Sequence, residues 1–152
     1  MVQSVDIRLV ETKQELQDAL DVRRFVFIEE QEVPEDLEID EFDTLDSGTK
    51  HFVAYVNQLP VAAGRLRTYA EGVGKVERVA VMKDQRGTGL GAQLMITMES
   101  QAVESGYQKL KLNSQCHAQR FYEKLGYLPV GEVFDEAGID HIAMEKQIKV
   151  LS

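Results

Sequence analysis

The chain has one cysteine, no tryptophan, three prolines and no long apolar run. Each shortage excludes something. A lone cysteine, Cys116, allows no internal disulfide and fits a reducing cytoplasm. No stretch approaches the roughly 18 apolar residues of a membrane-spanning helix. The opening residues, MVQSVDIRLVE, lack a basic segment followed by an apolar core, so no secretion signal is expected. The histidines His51, His117 and His141 are too scattered along the chain to form a recognisable metal site or catalytic triad. Basic residues are scarce as well: 17 Lys and Arg stand against 26 Asp and Glu, a formal charge of −9. That surplus disfavours nucleic acid and anionic membranes as partners. It favours a cationic substrate such as an amine, or serves solubility alone. The rest is ordinary for a globular protein: 152 residues, the length of one compact domain, 43% of them hydrophobic.

The most informative stretch runs from Lys75 to Gly106. Val76, Val79 and Val81 mark a strand, and Gln85-Arg86-Gly87-Thr88-Gly89-Leu90-Gly91 a glycine-rich turn. Leu90, Leu94, Met98 and Ala102 then repeat at the i, i+4 spacing of a helix face, with Gly106 as its stop. A helix N-terminus carries unpartnered backbone N–H groups and the positive end of the macrodipole. Glycines let a ligand approach that backbone, so the turn suits a phosphate or pyrophosphate, to which Arg86 adds charged donors. A plain strand–turn–helix with glycines kept for packing is the alternative. The P-loop is excluded, since no Lys-Ser/Thr follows the glycines. Gly87-x-Gly89-x-x-Ala92 fits a dinucleotide fingerprint formally, but that motif should open the first βαβ unit of a larger parallel sheet and here lies mid-chain.

Asp6 to Val10 reads as the first strand, and Thr12-x-x-Glu15 as a capping box for the helix after it. From Asp21 to Pro34 the helical period is lost. The acidic run Glu35 to Asp46 reads as a solvated loop or a short second helix. Lys50–Asn57 and Val61–Tyr69 form a hairpin turning at Gln58-Leu59-Pro60, and Glu71–Gly74 turns the chain into the strand at Lys75. Lys109–Asn113 is a strand that follows a helix and so should run parallel to its predecessor. A second helix spans about His117 to Leu125 and stops at Gly126. Leu128–Phe134 and Asp140 to about Val150 close a mixed sheet flanked by helices.

Strand followed by Gln/Arg-x-x-Gly-x-Gly at the head of a helix resembles the acetyl-CoA motif of the GNAT superfamily of acyl-CoA N-acyltransferases. The segments VFIEEQEVP, KVERVAV, HAQRFYEKLGY and GEVFDEAGIDHIAM resemble its ElaA-like branch, across nearly the whole chain. The resemblance implies an α/β (α+β) fold with a mixed, mostly antiparallel sheet of about six or seven strands and about four helices. It implies direct transfer of an acetyl group from acetyl-CoA to a primary amine of a small molecule, without a metal. Arg86, Gly87, Thr88, Gly89, Leu90 and Gly91 would hold the pyrophosphate, and Val79, Ala80 and Val81 would pair with the pantetheine arm. In the run QCHAQRFYEKLGY, Ala118, Phe121, Tyr122 and Gly126 match a family pattern in which the tyrosine protonates the departing sulfur. Gln115 stands where the family commonly has Asn, and with Phe121 it would touch the cofactor. The segment after the first helix would shape the acceptor site.

The attacking amine must lose a proton, since its pKa resembles that of lysine, about 10.4. Glu77, on the strand facing the thioester, is the candidate base; a salt bridge with Arg78 or Arg65 is its alternative use. Glu29, Glu30 and Asp40 could serve instead, and with His51 they are the residues expected near the acceptor. Cys116 is expected to be inert, since direct transfer needs no nucleophile. A homodimer paired through strands suits the implied fold. A similarity of Val-Phe-x-x-Glu-Gln-x-Val-Pro to acyl-homoserine-lactone synthases leaves a longer acyl chain open. A non-catalytic acyl-CoA-binding or regulatory module of the same fold is a competing reading, and a nicotinamide-binding protein a third.

Overall fold

The computed structural model describes residues 4–148. Seven strands form one sheet: β1 (Val5–Leu9), β2 (Lys50–Val56), β3 (Leu59–Ala70), β4 (Val73–Val81), β5 (Lys109–Gln115), β6 (Leu128–Glu136) and β7 (Ile139–Gln147). Their spatial order is β1-β2-β3-β4-β5-β7-β6. Every neighbouring pair is antiparallel except β4 with β5. Four helices accompany the sheet: α1 (Lys13–Arg23), α2 (Glu35–Glu38), α3 (Leu90–Glu104) and α4 (Gln119–Lys124). The architecture is the one the resemblance implies. A single parallel pair also removes the dinucleotide reading, which needs a doubly wound parallel sheet.

The sheet is apolar on both faces. The α3 stripe of Leu90, Leu94, Met98 and Ala102 packs on Phe52, Leu66, Val76, Leu110, Leu112 and Met144. On the other face Ala19 and Val22 of α1, with Val26, cover Val53, Ala63 and Ala80. Local signals set the helix ends. Thr12 and Glu15 close the capping box at α1. After α3, Gly106 takes φ 88, and Tyr107 and Gly106 donate back to the carbonyls of Ala102 and Val103, a Schellman stop.

Two features open the sheet. The parallel β4–β5 pairing covers only Val73–Val76 against Lys109–Leu112, although the strands continue to Val81 and Gln115. Beyond Val76 and Leu112 they part. At the same level β4 bulges toward its other neighbour: Arg65 pairs Glu77 and Ala63 pairs Ala80, so Gly64 opposes both Arg78 and Val79. Arg78 takes the left-handed conformation, φ 56, which costs an L-residue about 1–2 kcal/mol.

Several boundaries move for identifiable reasons. The hairpin turns on Asn57-Gln58, φ 50 and 70, and not on Gln58-Leu59-Pro60: a two-residue loop with both residues left-handed matches the twist of its strands. Pro60 then enters β3 where the register slips between Ala54 and Tyr55. The lost period after Asp21 is a π-helix, Arg24–Glu30, whose wider turn shifts the apolar spacing. The acidic run contains the short α2, and the helix read from His117 begins as a 3-10 turn over Cys116–Ala118. Val150, read as the end of the last strand, lies outside the described residues.

Candidate active site

Parting of β4 and β5 leaves a cleft of about 590 Å3. Val79, Ala80, Val81, Arg86, Gln115, Glu77 and Tyr122, all singled out from the sequence, line it. Its β4 wall has backbone groups without a strand partner toward β5 from Glu77 onward. At one end lies Arg86, the residue of the glycine turn that lines the cleft; Gly87, Thr88, Gly89 and Gly91 follow it in the chain and do not line it. The backbone N–H groups from Gly87 to Ala92 find no acceptor among the described residues. Gly87 and Gly89 have φ 81 and 89, and a Cβ added at either would meet open space. These two glycines fit the demand for close approach to an anion; Gly91 does not. Its Cβ would sit 3.3 Å from Phe121 Cζ, so Gly91 serves packing. Phe121 accordingly lies between α3 and α4 and does not line the cleft, and the Leu90 side chain belongs to the core. Only the Leu90 backbone remains available to a ligand.

Arg86 bonds the Val81 carbonyl through Nε at 2.9 Å and both Glu30 carboxylate oxygens through Nη2 at 3.1 Å. Glu30 is an ion-pair partner of Arg86, and neither it nor the exposed Glu29 lines the cleft. Across the cleft mouth Gln115 and Gln31 exchange amide hydrogen bonds of 2.8 and 3.2 Å, and His117 donates to Gln115 Oε1 at 2.6 Å. The Gln115 amide is thus tied to the chain segment after the π-helix.

Tyr122 projects from α4 and is 9% exposed. Its phenol packs edge-on against Phe121 and Tyr127, at centroid distances of 5.0 and 5.9 Å. Its hydroxyl bonds no side chain or backbone group among the described residues, and burial pushes its pKa up. A neutral phenol with a free O–H facing a cleft is a proton donor. Its backbone is fixed by the Gly126 stop, in which the Tyr122 carbonyl accepts from both Leu125 and Tyr127.

Glu77 does not fit the base role. Burial would raise its pKa, but bonds from Arg67 and the charges of Arg65, Lys75 and Arg67 overcome this and hold it at about 2. Arg65 Nε lies 3.1 Å away, Arg67 Nε 2.7 Å and Lys75 Nζ 3.2 Å. The alternative use, an ion pair with Arg65, is the one the structure displays. Asp40 is likewise engaged, in a two-point pair with Arg65 at 2.7 and 2.8 Å. His51 is 3% exposed, bonds the Phe42 carbonyl at 3.0 Å and lines no part of the cleft. Burial lowers its pKa. Its place is structural.

The acidic run is not a solvated loop. Arg23, Arg65 and Arg78 clamp Glu38, Asp40 and Asp43 onto the sheet. Arg78 donates to the Leu37 and Glu38 carbonyls at 3.1 Å, so the run is fastened to the β4 bulge and its Leu37 and Glu38 border the cleft. Sequence reasoning missed Gln31, Arg78, Glu136 and His141 as lining residues. All four lie in segments similar to the ElaA-like branch, Gln31 in VFIEEQEVP, Arg78 in KVERVAV and the other two in GEVFDEAGIDHIAM, and that similarity was the one signal for them.

The model of the acetyltransferase (GNAT) domain matches residues 13–148. The uncharacterized N-acetyltransferase YjcF of Bacillus subtilis (strain 168) is 40% identical over 139 residues, 91% of this chain and 96% of that protein. ElaA of Escherichia coli (strain K12) is 33% identical over 133 residues, 85% of each chain. The crystal structure of an acyl-CoA N-acyltransferase from Pseudomonas aeruginosa superposes with a TM-score of 0.81 at 31% identity, covering 95% of this chain and 99% of that one. On fold, motif and sequence together, the chain belongs to the GNAT acetyltransferase family, in its ElaA-like branch.

Proposed function

We propose that this protein transfers an acetyl group from acetyl-CoA directly to a primary amine of a small molecule. The observation that carries the reading is the row of unpartnered amides from Gly87 to Ala92, beside Arg86, at the end of a cleft that also holds the free Tyr122 hydroxyl. Those amides and Arg86 fit a pyrophosphate. Coenzyme A would supply the thioester. The backbone edge of β4 from Glu77 to Val81, freed where the strands part, offers donors for its arm and for the carbonyl oxygen as charge develops there. Tyr122 donates its proton to the departing sulfur. The cleft-lining residues include no cysteine, although Gln115 and His117 flank Cys116, which supports transfer without a covalent enzyme intermediate. Glu77 and Asp40, spent on arginines, act in this reading as props for the acceptor-side wall.

The test has two arms. Isothermal titration should show coenzyme A binding to the wild type, weakened at least tenfold in Arg86→Ala. A screen of small primary amines with acetyl-CoA should show thiol release and acetylated product. Coenzyme A affinity indifferent to Arg86 would overturn the site assignment; binding without transfer to any amine would favour a regulatory module. A longer acyl chain is the second reading, carried by the similarity of Val26–Pro34 to acyl-homoserine-lactone synthases. A series of acyl-CoA donors separates the two.

A further inference from the structure

One buried titratable side chain of the cleft has no role so far. His141, on β7, is 6% exposed and lines the cleft. Strand alternation places it opposite Ile142 and Met144, which belong to the core under α3. It pairs across the sheet with Gln115 on one side and Phe134 on the other, and its ring stacks on Phe134 at 6.0 Å. Its Nδ1 lies 2.7 Å from the carbonyl oxygen of Ile139. A carbonyl only accepts, so Nδ1 carries the hydrogen and the lone pair of the neutral ring is on Nε2. Nε2 is 3.4 Å from Glu136 Oε2, a carboxylate whose side chain is 48% exposed.

We infer that His141 Nε2 takes the proton of the acceptor amine, with Glu136 as its positioning residue and its path to bulk water. The inference rests on the transfer reading above. Tyr122 belongs to the core on the α3 side of the sheet, whereas His141 faces the other side. Acid and base thus reach the parted strands from opposite faces, so the nitrogen and the sulfur of one tetrahedral intermediate each meet a separate proton partner. The balance is closed. The acceptor enters the step as the neutral amine, its ammonium having given a first proton to water. Its nitrogen forms a bond to the acyl carbon and gives a second proton to His141, while the carbon–sulfur bond breaks and the sulfur takes the proton of Tyr122. His141 then returns its proton to solvent beside Glu136, and Tyr122 is reprotonated, leaving amide and thiol. Glu136 Oε2, 3.4 Å from Nε2, is placed to accept the hydrogen that Nε2 gains. The other titratable groups lining the cleft are Lys75, Glu77 and Arg78 of β4, Glu38 of α2, Arg86, His117 and Tyr122. β5 contributes the uncharged Asn113 and Gln115.

Three measurements test it, on the full chain. Nitrogen-15 NMR of the ligand-free protein should find the neutral His141 ring protonated on Nδ1; an Nε2–H tautomer overturns the inference without any assay of activity. His141→Gln should lower kcat by about 100-fold and abolish the acid-side limb of the kcat–pH profile, while coenzyme A affinity stays within about twofold. Glu136→Gln alters an exposed carboxylate and so spares the core. It should lower kcat about fivefold while the KM for coenzyme A stays within about twofold, the split expected of a residue that positions the base. A limb unchanged in His141→Gln overturns the assignment of the base alone, and a kcat unchanged in Glu136→Gln overturns the positioning role. A wild type that binds coenzyme A and acetylates no amine overturns the transfer reading, and the base with it.

Discussion

Exchanging Arg23 for methionine tests whether the α2 wall of the cleft is held by buried charge. The Arg23 side chain is 1% exposed. It donates to the two Glu38 carboxylate oxygens at 2.9 and 2.8 Å, to the Glu38 carbonyl at 2.9 Å, and to Asp43 at 2.7 and 3.0 Å. Methionine keeps the apolar stem and supplies no donor. Asp43 would retain Arg65 at 2.9 Å, and Glu38 would retain only Arg78, at 3.4 Å. Removing one partner of a buried pair costs about 3–5 kcal/mol. With both acids left one arginine each, the low end applies, about 3 kcal/mol. At about 2–4 °C per kcal/mol for a chain of this length, Tm should fall by roughly 6–12 °C at pH 7 in a calorimetric scan. The acid side gives a sharper signature. Burial would raise the Asp43 carboxyl, but bonds and charge from Arg23, with the charge of Arg65, hold it well below the usual range. A depressed carboxyl stabilises the fold above its unfolded pKa, about 3.9, and that stability is lost as pH falls through the folded pKa. Asp43 therefore contributes to a loss of stability below about pH 4 in the wild type, and this contribution shrinks without Arg23. The Tm gap between variant and wild type should narrow as pH drops from 4 toward 2. Adding Glu38→Met should recover part of the loss, since an apolar pair can replace a buried ionic one. A Tm within 2 °C of wild type, or an offset constant across pH, would refute the reasoning.

Tyr122→Phe removes a hydroxyl that has no protein partner among the described residues, so stability should change by less than about 1 kcal/mol while the transfer rate falls by about 100-fold and coenzyme A affinity holds. A large loss of Tm would mean the hydroxyl is structural. Gly89→Ala and Gly91→Ala should separate the two uses of glycine. The first strains a left-handed residue in open space, costing about 1 kcal/mol, and weakens coenzyme A binding in titration. The second presses on Phe121 at 3.3 Å and should lower Tm more than it lowers affinity. Glu30→Gln frees Arg86 from a pair that is 44% and 25% exposed; coenzyme A should bind about two- to fivefold tighter, the scale of a surface ion pair.

What could be read in advance was whatever nearby residues determine. The strand–turn–helix from Lys75 to Gly106, the capping box at Thr12 and the Gly106 and Gly126 stops are local devices, and the strand spans from Lys50 to Phe134 are legible for the same reason. The π-helix was not legible, because a pattern of period 3.6 simply dissolves where the chain winds more widely. Division of the glycine turn between approach and packing was not legible either, since it depends on Phe121, about thirty positions farther on.

The larger blind spot was charge. An acidic run with no apolar period has the same composition whether solvated or clamped, and only long-range contacts decide. Arg23 meets Glu38 and Asp43, and Arg65 meets Asp40, Asp43 and Glu77. The surplus of −9 is thereby divided. Glu38, Asp40, Asp43 and Glu77 are neutralised in place by Arg23, Arg65, Arg67, Lys75 and Arg78, so they cannot be what draws an amine to the cleft. Their work is mechanical: they hold the backbone of α2 against Arg78, and Arg78 in turn stays left-handed at the bulge where β4 leaves β5. A strained residue at the point where a sheet opens needs such a brace. The brace leaves Glu136, on the far wall and half-exposed, as the one carboxylate lining the cleft that no lysine or arginine holds among the described residues, and it is therefore where an incoming ammonium should first be felt.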